Sequence, residues 1–531
     1  MNSRWFSRCF AGLLLSFAAT ARAQAPSAFS ERDAVAAAVA SNPTLHVALL
    51  RAQQSRYNLS AEQALYVPIF DANAGYTHSR VPSLYGRTEL TTDAMGNMTT
   101  TIIPDTRITG SDVLDIGAAI TKPFAYGTVL SASVSGQRSS RASLEQAALF
   151  GASGPGYSVV GRLSASQPLL RGAGTDVGLA TLRQAKLTLT GNQLAAQQAA
   201  SDLLAQVVSA YWELWYSAEV VRIDEASREL ARTQQEQAQQ QVASGALAPA
   251  SALPYATQVA QLDEAVLAAQ TDVRQRELAI SQLLGEPSGV GATLRASDTP
   301  LLPTSDEPSE GGAIDDALKN SYERRQLQTQ LAIVKDQLKI AGDPLRPRLD
   351  VDAYVQAQGL GNARVPPAFE QFGRFDAVSA HVGLTFEMPL TDARRSAQIQ
   401  AAQLSAHVAE RQIAANELQI RSSVASAIAL RRAAREKLEL SSQTEKVAGQ
   451  QAAAERARFV AGGSIAITVQ QAEDSYRQAQ LRVQRARVDL MLADLSLAQL
   501  RGQLLARYAD AVERLPASER IDLTNGAAGN F

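Results

Sequence analysis

Apolar and polar positions alternate with period two in several stretches of this chain. In "VSAHVGLTFEM", Val378, Ala380, Val382, Leu384, Phe386 and Met388 fall on one face, and Ser379, His381, Gly383, Thr385 and Glu387 on the other. "VDAYVQAQ" (Val351 to Gln358) and "IFDANAGYTH" (Ile69 to His78) alternate in the same way, as do 114–121, 128–136 and 157–167. Strands of about 9–11 residues with one apolar and one polar face suit a tilted transmembrane barrel. A soluble sandwich strand gives a similar pattern. The stretch between Thr77 and Ser111 is polar, contains Thr and Pro, and reads as a surface loop.

Elsewhere the period is helical. Val469, Ala472, Tyr476, Ala479, Val483, Ala486, Leu490, Ala493, Leu497, Leu500 and Leu504 follow one another at spacings of three and four, a coiled-coil seam. Shifting that register back by 217 residues gives Ala252, Tyr255, Val259, Leu262, Val266, Ala269, Val273, Arg276, Ile280 and Leu283, broken only by Arg276. A second offset, 279 residues, sets Ala317 on Ala38, Pro347 on Pro68 and Asp350 on Asp71. The chain therefore reads as a duplication. Each repeat has a helix (30–65 and 312–341), strands, a long helix, a glycine turn and a long return helix. The segment 392–460, if continuous, reaches about 100 Å at 1.5 Å per residue. The Gly462-Gly463 pair would cost a helix roughly 1 kcal/mol per glycine. It is read instead, with Gly245, as the place where a long helix reverses.

The expected organisation is a segment 1–23, a first repeat 24–285 and a second repeat 313–511. A Pro/Gly/Asp-rich linker, 286–312, joins the repeats, and 512–531 forms a tail. Strands occupy about 66–168 and about 347–389, and helical hairpins 175–285 and 392–511. The fold class is mainly α with a membrane β-barrel. Apolar content is 46% with only 5% aromatic, so alanine and leucine carry the burial, as suits long helices. A net charge of −2 without a basic block argues against nucleic acid as a partner. Arg4 and Arg8, the run "AGLLLSFAA" and "ARA" at 21–23 read as a secretory signal. Its removal would take the only cysteine, Cys9, and leave no disulfide or thiol chemistry and no lipid anchor. No later segment has eighteen uninterrupted apolar residues. The strands of one chain cannot close a wide barrel, and an open edge in lipid leaves backbone groups unpaired, so several copies are required.

Candidate chemistry is sparse. His46, His78, His381 and His407 show no ligand spacing, so no metal site is expected. The glycines of 151–161 lack the Lys-Ser/Thr of a phosphate loop and read as a loop. Tyr211, Trp212, Trp215 and Tyr216 read as helix packing. No catalytic residue or cofactor is expected.

The duplicated strand-and-hairpin plan, "SNPTL" (Ser41 to Leu45), "AYWEL" (Ala210 to Leu214), "QPLLRG" (Gln167 to Gly172) and the two glycine tips together resemble the TolC-type outer-membrane efflux proteins. The resemblance covers nearly the whole chain after the signal. It implies a homotrimer with a shared barrel in outer-membrane lipid and an α-helical tunnel through the periplasm. It further implies a non-enzymatic exit duct for a periplasmic adaptor (membrane fusion protein) and an inner-membrane RND or ABC transporter. That is the plan of tripartite efflux or type I secretion. Such partners would dock on the hairpin tips, Val242, Gly245, Leu247, Phe459, Gly462, Gly463 and Ile465. The family pattern of two strands per repeat implies twelve per trimer. The extra hairpin here is expected to lie outside that barrel; if its strands joined, there would be eighteen. Where the family carries acidic rings near the second tip, Ser464 to Ala472 has no carboxylate. Glu473 and Asp474 are the candidates for a pore-entrance ring, the alternative being a solvated helix face. The competing class is a periplasmic coiled-coil adaptor or structural protein with hairpins and no pore.

Overall fold

The computed structural model describes residues 27–92, 94–142, 155–245, 247–285, 294–300, 309–388, 393–461 and 463–512. The signal and tail expectations, and Gly462, lie outside the described residues.

In chain order the elements are β1 (Ser27–Phe29), α1 (Glu31–Ser41), α2 (Pro43–Ala64), β2 (Ile69–Thr92), β3 (Met98–Pro123), β4 (Val129–Ala142) and β5 (Gly156–Pro168). Next come α3 (Thr175–Gly178), α4 (Ala180–Ala243), α5 (Pro249–Leu283) and β6 (Leu294–Ala296). The second half holds α6 (Glu310–Asn320), α7 (Tyr322–Ala341), β7 (Arg348–Asn362), α8 (Pro366–Arg374), β8 (Val378–Glu387), α9 (Ala393–Val460), α10 (Ala466–Leu500), α11 (Leu504–Arg507) and α12 (Ala509–Val512). The repeat is visible in these bounds. An offset of 279 carries α1 onto α6 and the starts of α2 and β2 onto those of α7 and β7. An offset of 217 carries both ends of α5 onto those of α10, and the end of α4 onto that of α9.

The opening helix of each repeat is not continuous, contrary to expectation. Pro43 has no N–H to donate and disfavours the α region at the residue before it, and Asn42 takes ψ 118°. The Asn42 side chain fills the break, accepting from the Thr44 and Leu45 amides (3.0 and 3.2 Å) and donating to the Leu283 carbonyl (2.9 Å). In the second repeat Asn320 donates to the Arg501 carbonyl (3.0 Å), and Ser321 takes ψ 119°. Gly285 and Gly502, one 217 residues after the other, both adopt φ +70°, and a Cβ on either would strike the end of the short helix it meets. The "SNPTL" stretch is thus a helix break tied to the end of the return helix.

The chain divides into two compact units, each drawing on both repeats. One comprises 1–47, 197–321 and 419–531, and the other 48–196 and 322–418. In the first, Ala313 and Ala317 of α6, Ile420, Val424, Ala427 and Ile428 of α9, and Leu497 of α10 form a buried cluster. Ala434 and Leu438 of α9 pack on Val483, Ala486 and Leu490 of α10 in another. Ion pairs Lys437–Asp489 (2.9 Å) and Arg431–Asp494 (2.9 Å) progress in opposite senses along α9 and α10, so these helices are antiparallel. Most of the seam predicted from Val469 to Leu504 is buried. Arg276, which interrupts the other seam, is exposed and pairs with Asp272 (3.5 Å). β1 and β6 pair in parallel, so a strand lies inside the stretch expected to be linker.

The second unit holds one antiparallel sheet in the order β2-β3-β4-β5-β7-β8. This overturns two expectations. Residues 78–110 are not a loop: Ile69 to Thr92 pair continuously with Thr121 to Met98. The first repeat's extra strands do not leave the sheet, because β3 and β4 sit between β2 and β5 with unbroken ladders. The ladder runs on through a stretch where Thr and Pro suggested irregular chain, rich in β-branched Thr and Ile; Pro82 lies on β2, an edge strand, where a sheet tolerates proline. Likewise, the described part of 151–161 is β5 from Gly156 onward.

Helix α8 lies on the apolar face of this sheet. Ala368 is fully buried, and Gln371 accepts from the Leu360 amide (3.0 Å). A Cβ on Gly359 would sit 1.9 Å from the Ala368 carbonyl oxygen. Backbone cannot yield as a side chain can, so Gly359→Val should unseat α8. Trypsin should then cut after Arg374 at least several-fold faster than in the parent, with the assembled sheet intact; unchanged cleavage would show that the helix is not held by this contact.

Candidate functional site

Strand register builds a two-faced wall. Phe70, Ile120, Ala132, Leu163, Val355 and Ala380 form one unbroken cross-strand row, apolar throughout. The next row is Asp71, Ala119, Ser133, Arg162, Gln356 and Ser379. Ile116, Val134, Leu163, Val382, Leu384 and Phe386 all stand exposed on the first face. On the polar face, Arg162 lies over the Tyr354 ring (3.7 Å), which stacks on His381 (5.1 Å). Asn73 donates to Asp115 (3.3 Å), and Glu387 meets Arg171 (3.3 Å). An apolar outer face and a hydrogen-bonding inner face are what a water-filled barrel in lipid requires. The "QPLLRG" stretch ends β5: Leu169 donates to the Leu349 carbonyl (2.8 Å), and Gly172 to Asp343 (2.8 Å).

The hairpin reversals fall at the predicted glycines as far as these are described. Val242 lies in the last turn of α4, Gly245 takes φ +76°, and the Gly245 amide donates to the Val242 carbonyl (3.1 Å). The Leu247 amide donates to the Gln241 carbonyl (3.1 Å). At the other reversal Phe459 lies in the last turn of α9, Gly463 donates to the Arg458 carbonyl (2.8 Å), and Ile465 caps α10. Leu253, Val460 and Ile465 are exposed beside these turns.

Glu473 and Asp474 are held differently from a free acidic ring. Both Glu473 oxygens accept from the Gln234 amide (2.9 and 3.0 Å), and Arg456 lies 3.3 Å away. Burial raises the Glu473 pKa above the ordinary carboxylate range, against the lowering effects of Gln234 and Arg456. Asp474 pairs with Arg477 (2.8 Å), which also holds Asp224 (2.8 Å), whose side chain is only 5% exposed. Further along, Arg485 bonds Glu213 (2.9 Å) and Gln499 bonds Asp202 (2.9 Å). These contacts lace α4 of the first repeat to α10 of the second. The sequence signal was faint: Arg477 and Arg485 lie eight apart on one helix, with no sequence neighbour to reveal their partners.

The aromatic cluster is packing, as read. Tyr211 and Trp212 meet edge to face (5.2 Å). The Tyr211 hydroxyl accepts from the Asp298 amide (3.1 Å) and donates to the Phe29 carbonyl (3.2 Å), and burial pushes its pKa up to about 12. Trp212 donates to Glu31 (2.8 Å), which also accepts from the Tyr508 hydroxyl. The "AYWEL" stretch thereby anchors the chain around β1. Among the described residues no group of three His, Cys, Asp or Glu could hold a metal ion, and no helix is long and apolar enough to cross a membrane.

Comparison with known proteins agrees with this wall and these hairpins. Residues 313–503 match the family model of the outer membrane efflux protein. No curated protein matches the chain. The fold is similar to the Campylobacter jejuni CmeC outer membrane channel, at TM-score 0.65 and 11% identity over 98% of this chain and 99% of that one. It is also similar to the outer membrane protein VceC from Vibrio cholerae (TM-score 0.62, 15% identity, 89% and 96% covered). The open state of the Neisseria gonorrhoeae MtrE outer membrane channel gives TM-score 0.60 at 14% identity, covering 89% of each chain. The resemblance to TolC-type efflux proteins therefore holds in the sequence of the second repeat and in the fold of the chain. What these comparisons define is a fold shared with outer membrane channels, with a match to the outer membrane efflux protein model confined to the second repeat.

Two outcomes test the lacing. Arg477→Ala strands the buried Asp224 carboxylate and should cost about 3 kcal/mol, read as a lower Tm; a change under about 0.5 kcal/mol would show the pair to be dispensable. A raised Glu473 pKa contributes stability that is full below the unfolded value and is lost as pH rises through the folded one. Glu473→Gln removes that slope. The variant's Tm relative to the parent should therefore climb as pH rises from the ordinary carboxylate range through the raised folded value, and a flat difference would contradict the assignment.

Proposed function

We propose that three copies of this chain close their six-stranded sheets into one barrel of eighteen strands. That barrel is the outer-membrane exit of a tripartite efflux or type I secretion system. One observation carries the reading: the sheet bears a continuous apolar band on one face, yet is open, with β2 and β8 each paired on one side only. Unpaired backbone in lipid costs several kcal/mol per group, so the edges must find partners. Successive strands alternate in direction across an even number, so β8 runs antiparallel to the β2 of a neighbouring copy. Barrels of this strand number leave an aqueous lumen, and the Ser- and Asp-bearing face would line it.

Exposed Leu404, Val408, Leu418, Leu430, Leu440 and Val447 along α9 support the same assembly, since an exported helix has no reason to show that many large apolar residues to water. Conduction is passive, and energy comes from an inner-membrane RND or ABC transporter. A periplasmic adaptor docks at the tips, around Val242, Gly245 and Leu247 and around Phe459, Gly462, Gly463 and Ile465. Glu473 and Asp474 serve in the clasp between hairpins, and opening would loosen the links from Gln234 and Arg456 to Glu473 and from Asp224 to Arg477.

The full-length protein, extracted in detergent from outer membranes, should run as a trimer and show eighteen strands in cross-section by electron cryomicroscopy. Leu404→Asp combined with Leu418→Asp should abolish the trimer. A water-soluble monomer would end the channel reading, and a trimer with twelve barrel strands would end the eighteen-strand form of it.

A further inference from the structure

The apolar band of the sheet ends in a row of a different kind. On the same face, and at the end where β2 and β3 continue past it, stand Tyr76, His78 and Arg80 of β2, Asp112 of β3, Arg138 and Ser140 of β4 and Tyr157 of β5. Register places Tyr76, Leu114, Arg138 and Tyr157 in one cross-strand row, with His78, Asp112 and Ser140 directly beyond it. Below them the face is Ala74, Ile116, Gly136 and Val159.

The only carboxylate in this group is already satisfied. Asp112 accepts from the Tyr76 hydroxyl (2.8 Å) and from Ser140, and lies 2.7 Å from His78 Nδ1. Arg80 and Arg138 are exposed, and among the described residues neither has a carboxylate within ion-pair distance. Two arginines held in rigid strands at the edge of an apolar face, with the local acid occupied by other donors, present an unanswered positive charge at headgroup depth. The strand ends joined to α2, α3, α7 and α9, at Ile69, Pro168, Arg348 and Glu387, all lie at the opposite end of the sheet. The arginine row therefore belongs to the leaflet facing away from the helices.

We infer that Arg80 and Arg138 bind the phosphate groups of lipid A in the outer leaflet, with Tyr76 and Tyr157 seated at the acyl boundary beneath them. The inference rests on the outer-membrane reading above. Guanidinium matches a phosphate monoester through paired N–H donors, and arginine at an anionic membrane surface adds affinity charge by charge. Tyrosine at the same depth is the usual companion, with its ring in the apolar layer and its hydroxyl at the polar one.

The test uses the full-length protein in detergent, titrated with lipid A, with enzymatically dephosphorylated lipid A and with phosphatidylglycerol, and read by native mass spectrometry. The parent should retain lipid A roughly tenfold more tightly than the Arg80→Gln, Arg138→Gln double variant, and should lose that preference for the dephosphorylated lipid. An Arg80→Lys, Arg138→Lys variant should recover part of it, since the charge stays and the paired donors go. Recovery of each variant in the outer-membrane fraction, with its oligomeric state, is measured alongside. Equal lipid A affinity in parent and double variant, with assembly intact, would overturn the site alone. Equal preference for phosphatidylglycerol would also overturn it, as a general anionic contact. A parent protein absent from the outer membrane would overturn the underlying reading instead.

Discussion

Backbone hydrogen bonding at the two edges of one sheet governs the molecule. In water an open edge is satisfied by solvent. In hydrocarbon it is not, and the apolar row from Phe70 to Ala380 commits this sheet to hydrocarbon. A sheet that is apolar on one face, polar on the other and open at both edges is an incomplete object. In the assembly proposed above, what completes it is another copy of itself. The serine- and aspartate-bearing inner face, the helices with exposed leucines and the unpaired strands β2 and β8 then have one explanation rather than three.

The helical part answers a different constraint. Long antiparallel helices need small residues where they approach and charge pairs where they separate. Fully buried Ala479 and Ala486 serve the first need on α10, beside leucines and valines at neighbouring seam positions. The second need is met by arginines that reach across to a different repeat, as Arg477 does to Asp224 and Arg485 to Glu213. Such contacts are partly buried, and each is worth most when the partner would otherwise be stranded. The opening proposed above would gain from this arrangement, because charged links exchange with water more readily than a packed seam of Val483 and Leu490.

Much of this was readable in the residues. The two offsets found in the sequence land on the ends of α1, α4, α5, α9 and α10 without a residue of slippage, because heptad spacing and glycine placement are local signals that duplication preserves. Strand alternation was equally plain from Val378 to Glu387. The stretch from His78 to Gly110 reads as a loop from its polarity yet pairs as strand, because a two-stranded ribbon wet on both faces carries no alternation to find. The break at Asn42 was written in the following proline but outweighed by the apolar periodicity around it. β1 and β6 are three residues each, below the length at which any pattern exists. The partners of Glu473 could not be foreseen, since Gln234 and Arg456 come to it through the packing of different helices and not through spacing along one.

The extra strands of the first repeat follow from the same edge constraint. A chain that enters the sheet from a helix at one end and leaves into a helix at that same end must cross it an even number of times. β2 to β5 do so four times, β7 and β8 twice. An insertion of one strand would deliver the following helix to the wrong side of the membrane and set β8 parallel to the next copy's β2. An insertion of a hairpin does neither. The β3–β4 turn at 124–128, on the helix side, is the seam of such an insertion: it returns the chain for a second excursion and leaves every strand antiparallel to its neighbour. A barrel closed as proposed above can therefore widen in steps of two strands per chain, six per trimer, while the hairpins keep the register set by their own seams.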